Sequence, residues 1–72
     1  MELKKFEKHF NGLHWLYENS KGDTLSIVQH DGSYGHESGL FETMCSWKPD
    51  VQGHLTFEQV ARKLKTLERR EQ

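Results

Sequence analysis

The sequence predicts an α+β domain: a short N-terminal helix, a three-stranded antiparallel β-meander and a C-terminal helix packed on one sheet face. Three observations carry this. Apolar and polar residues alternate over 13–18, 24–30 and 40–47, the period of half-buried strands. Leu3, Phe6 and Phe10 recur at i, i+3 and i+7, the spacing of one helix stripe. Thr56-Phe57-Glu58-Gln59 has the form of a capping box, and an apolar stripe at helical spacing follows it.

Residues 2–10 place Glu2, Lys4, Lys5, Glu7 and Lys8 between the three apolar positions, so the expected helix is amphipathic. A helix this short is marginal in water and needs its stripe docked. Asn11-Gly12 supplies a left-handed stop. From Leu13 the period changes: Leu13, Trp15 and Tyr17 fall on one face and His14, Leu16 and Glu18 on the other. Trp15 is the expected core anchor. Asn19-Ser20-Lys21-Gly22-Asp23 reads as a hairpin loop, with Gly22 free to take positive φ. The return strand over 24–30 sets Leu25 and Ile27 on one face and Val28 on the other.

A polar loop from Asp31 to Gly39 then leads into a third strand. Its glycines permit positive φ, and Tyr34 either lies on the sheet or is displayed. Along 40–47 the set Phe41, Thr43, Cys45 and Trp47 is the expected buried side. Pro49 ends that strand, because proline donates nothing to a ladder. Residues 51–54 read as a linker. The closing helix, 57 to about 70, carries Phe57, Val60, Ala61, Leu64 and Leu67 as its core stripe, with Leu55 and Val60 as a hydrophobic staple.

The 72 residues make one domain, near the size where a single core is barely sufficient. Ten Lys and Arg against eleven Asp and Glu give no global drive toward nucleic acid or anionic membrane. Cys45 is the sole cysteine, which points to a reducing compartment and a cytoplasmic protein. No stretch approaches the roughly 20 apolar residues of a membrane span.

Chemistry finds little support. The five histidines and Cys45 lack zinc-ligand spacing, so no metal or other cofactor is expected. Cys45 or Ser33 with His30 and Asp31 forms no nucleophile signature, and the glycine loop has neither phosphate-loop spacing nor a helix after it. The expectation is a non-enzymatic protein. Candidate protein-binding residues are Tyr34 and His36 in the loop, with Leu16, Val28 and Met44 on the sheet face away from the C-terminal helix. That face is either covered by the N-terminal helix or open to a partner, including a second copy in a homodimer. A basic set on the last helix, Arg62, Lys63, Lys65, Arg69 and Arg70, is the alternative: a small nucleic-acid-binding modulator of transcription or replication. Glu58, Glu68 and Glu71 dilute it.

Ser33-Tyr34-Gly35, then Gly39-Leu40-Phe41-Glu42, then Asp50-Val51-Gln52-Gly53-His54-Leu55-Thr56-Phe57-Glu58-Gln59-Val60 resemble small uncharacterised proteins of tailed bacteriophages and prophages. Their pattern is S-Y-G, G-L-F-E and D-V-x-G-x-L-T-F-x-x-V. The resemblance covers roughly residues 24 to 67, and the chain departs from it at Cys45-Ser46-Trp47-Lys48-Pro49. No activity or functional residue comes with that family. What the resemblance implies is a phage-encoded protein working in the bacterial cytoplasm. Together with the small size, the lack of a catalytic grouping and the candidate residues Tyr34 and His36, the expectation is an accessory protein that binds and modulates a host protein.

Overall fold

Residues at the N-terminus form a strand, not a helix. The structure, a computed structural model, describes residues 1–9, 12–29 and 39–72. Its elements are β1 (Glu2–His9), β2 (Gly12–Glu18), β3 (Thr24–Gln29), β4 (Phe41–Cys45), β5 (Gln52–Leu55) and α1 (Phe57–Arg69). The strands form one antiparallel sheet in the order β1-β2-β3-β4-β5, so the described residues make an α+β fold with five strands where three were expected, and residues 2–9 are strand where a helix was expected.

The two unexpected strands share a cause. In β1, Leu3 pairs with Tyr17 and Lys5 with Leu16, so Lys4 is an extra residue in a bulge. A regular strand would send Leu3 and Phe6 to opposite faces; the bulge returns both to one face. Their spacing of three therefore imitates a helix stripe while the backbone is extended. In β5, Leu55 pairs with Phe41 and Gln52 with Thr43, which leaves two residues opposite one. His54 sits in this second bulge at φ 57°, a left-handed conformation uncommon outside glycine. Residues 51–54 thus show no alternation, although Gln52, Gly53 and His54 lie in the strand.

The remaining elements follow their local signals. Asn19 to Asp23 closes the β2-β3 hairpin, with Gly22 at φ 86°. Asn19 is buried and its Oδ1 accepts from the amides of Lys21 at 2.9 Å and Asp23 at 3.0 Å. At the helix start, Thr56 Oγ1 accepts from the Gln59 amide and Gln59 Oε1 accepts from the Thr56 amide, the reciprocal pair of a capping box.

The helix lies on the face built from β3, β4 and β5. There Leu25, Ile27, Cys45, Val60 and Leu67 are buried, with Trp15, Tyr17, Phe41, Trp47, Leu55 and Leu64 packed around them. Phe57, expected in the core stripe, is 74% exposed at the helix N-terminus. The far end of the helix is anchored separately. Asn19 Nδ2 donates to the Leu67 carbonyl at 3.0 Å, Arg70 Nε donates to Asp23 at 3.0 Å, and the chain-terminal ammonium meets Glu71. No helix among the described residues is long and apolar enough to cross a membrane.

Candidate functional site

Strand geometry alone sorts the sheet into two faces. Leu25 and Ile27 point under the helix, so Ser26 and Val28 point away from it. Cross-strand partners share a face. The outer face therefore holds one row of Lys5, Leu16, Ser26 and Met44 and a second of Glu7, His14, Val28 and Glu42. The expected residues Leu16, Val28 and Met44 are brought together here on three adjacent strands. Met44 is 54% exposed, while Leu16 and Val28 are half-buried. No described element lies over them, since residues 2–9 belong to the sheet itself. The other two expected residues, Tyr34 and His36, lie outside the described residues.

Sequence reasoning missed a polar relay beside this patch. His14 Nδ1 lies 3.2 Å from Glu7 Oε1, and its Nε2 lies 2.9 Å from Ser26 Oγ. Carboxylate, imidazole and hydroxyl thus form a chain across β1, β2 and β3. The order matches a hydrolytic triad, but the setting does not. Ser26 is central in β3, between paired strands, where the ladder takes up the backbone amides that would otherwise hold an oxyanion. The relay is a cross-strand tie that orients His14 on the outer face. Its signal was hidden by the N-terminus: with residues 2–10 read as a helix, Glu7 has no register against His14.

The helix side presents a different surface. Between helix and sheet lies an open pocket of about 180 Å³ lined by Trp15, Tyr17, Ile27, Phe41, Phe57, Val60 and Leu64. Phe6 stacks on Trp15 with ring centroids 5.6 Å apart, and Trp15 meets Phe41 at 6.1 Å. An aromatic row so crosses the sheet and ends at the β1 edge.

The basic set on α1 is partly engaged within the chain. Arg70 bonds Asp23 and stacks over Trp47, 4.9 Å from the ring centroid, and Lys63 donates to Gln52. Arg62, Lys65 and Arg69 are exposed. The Arg70 guanidinium holds the Asp23 carboxyl below its ordinary range. Burial pushes the Cys45 thiol up, so this core cysteine is a poor nucleophile at neutral pH. Among the described residues, no three His, Cys, Asp or Glu side chains converge as metal ligands. Compared with known proteins, the chain matches no family model, no curated protein and no solved structure.

Proposed function

We propose that the chain is a non-enzymatic recognition module, a phage accessory protein that binds and modulates a host bacterial protein through the outer face of its sheet. The observation that carries this reading is the uncovered apolar cluster of Leu16, Val28 and Met44, with Met44 54% exposed on a face no described element covers. Lys5 at one flank and Glu42 at another give the patch a rim of both charge signs. Its best-fitting partner is a protein surface with an apolar centre and charged surroundings, the usual anatomy of an interface. The resemblance of Gly39–Glu42 and Asp50–Val60 to tailed-phage proteins supports a host protein as that partner.

The test is affinity capture from bacterial lysate with wild type and Met44→Asp, followed by calorimetry with the captured protein in pure form. An exposed position tolerates the substitution with little loss of stability, whereas a charge at an interface centre weakens binding about tenfold or more. Tyr34→Ala, run in parallel, separates a contribution of the loop from that of the sheet face. Equal affinity of Met44→Asp and wild type removes the outer face from the proposal.

A further inference from the structure

Strand β1 is the edge of the sheet, with β2 on one side and, among the described residues, no strand on the other. An open edge offers unpaired N–H and C=O groups to another strand, and proteins guard such edges with lysines and bulges. β1 carries both guards, yet it also exposes two apolar side chains, Leu3 at 46% and Phe6 at 56%. Phe6 is the last ring of the row Phe41, Trp15, Phe6, which runs across the sheet and stops at the edge.

We propose that a second copy of this chain pairs antiparallel with β1 about a two-fold axis through Phe6, perpendicular to the sheet. Charge selects that register. In a symmetric antiparallel pair the residue on the axis faces its own copy, and residues equally spaced on either side of it face each other. An axis at Lys4, Lys5, Glu7 or Lys8 sets a charge against its like, and an axis at Leu3 falls at the bulge, where the ladder is irregular. An axis at Phe6 sets ring against ring and places Lys5 opposite Glu7 of the partner subunit, twice over by symmetry. Lys4 and the partner's Lys8 would also approach, but Lys4 is the bulged residue. Its ammonium leans back on Glu18 at 3.6 Å and Glu2 at 3.5 Å within its own chain. Glu7 is held on the outer face by His14, on the side where Lys5 lies.

This pairing gives a ten-stranded sheet with both helices on one side. The aromatic rows join end to end through the two Phe6 rings. The outer face of each copy stays exposed, so the dimer and the recognition surface stand or fall separately. The regular part of the edge is short and places the interface at the small end of specific contacts, which makes association concentration-dependent.

Sedimentation equilibrium over a concentration series tests it. Wild type moves from the 8.5 kDa monomer towards twice that mass. Lys5→Glu and Glu7→Lys each weaken association about tenfold, because each replaces two opposite-charge pairs with two like-charge pairs. An equimolar mixture of the K5E and E7K chains restores it, since each supplies the charges the other lacks. Phe6→Asp, which sets two carboxylates on the axis, is monomeric throughout, and circular dichroism shows it folded. The proposal is overturned by a wild type that stays monomeric up to about 1 mM. It is equally overturned by association indifferent to the single reversals, or by a mixture that fails to recover it.

Discussion

Asn19→Ala removes the side chain that ties the β2-β3 hairpin to the end of the helix. Asn19 is 5% exposed, and its amide makes four hydrogen bonds. Two are to turn amides, which the alanine variant leaves near solvent, and one is to the half-exposed Asp23 carboxylate. The fourth, from Nδ2 to the Leu67 carbonyl, is buried. That carbonyl has no substitute donor along the helix, because the Glu71 amide bonds Glu68 instead. Losing a buried partner costs about 1–3 kcal/mol and each more exposed bond about 0.5 kcal/mol, so the total is about 3 kcal/mol. A domain of this length holds on the order of 4–11 kcal/mol, so the loss is a large share of it. The melting temperature falls by roughly 12–24 °C. Urea denaturation with an unchanged slope is the assay. Asn19→Asp keeps both turn acceptors and replaces the donor to Leu67 with an anion; it is destabilised even though the turn is intact. A loss below about 1 kcal/mol for the alanine variant refutes the assignment of Asn19 as the tie between hairpin and helix.

Two further perturbations probe the same framework. Thr43 is 1% exposed and its Oγ1 has no hydrogen-bond partner among the described residues, so Thr43→Val stabilises the protein by about 1 kcal/mol; a loss of that size instead shows that the hydroxyl is satisfied. Asp23 and Glu71 have lowered folded-state pKa values, the first chiefly through its hydrogen bond from Arg70 and the second through the chain-terminal ammonium. Both carboxyls hold protons less tightly folded than unfolded, so their stabilisation is complete above the ordinary carboxyl range near pH 4 and is lost as pH falls through the folded values. Urea midpoints measured from about pH 6 to about pH 2 decline in that window, and Arg70→Gln makes the decline shallower. An identical slope in Arg70→Gln contradicts the pairing.

How much of this was legible in the sequence depended on whether each element keeps one period. The C-terminal helix was readable because Thr56 and Gln59 mark its start and Val60, Leu64 and Leu67 its buried stripe. Strands β2, β3 and β4 were readable because nothing interrupts their alternation. Strands β1 and β5 each contain a bulge, which adds one residue and breaks the period at Lys4 and near His54. In β1 the result was worse than silence, since the broken strand period counterfeited a helical one. Phe57 misled for another reason: helical spacing selects a stripe, but only packing decides where the stripe leaves the core. The outer-face cluster was legible once alternation was trusted. The Glu7, His14 and Ser26 relay was not, because it depends on the register of the strand that was misread.

Recognition through the outer face is the central claim, and site-specific photocrosslinking in bacterial cells addresses it most directly. A photoreactive residue replacing Met44 is expected to capture a discrete host protein. The same residue replacing Glu58, exposed on the helix at the far side of the sheet, is expected to capture none. Absence of a specific product from position 44, or the same product from both positions, would contradict the account.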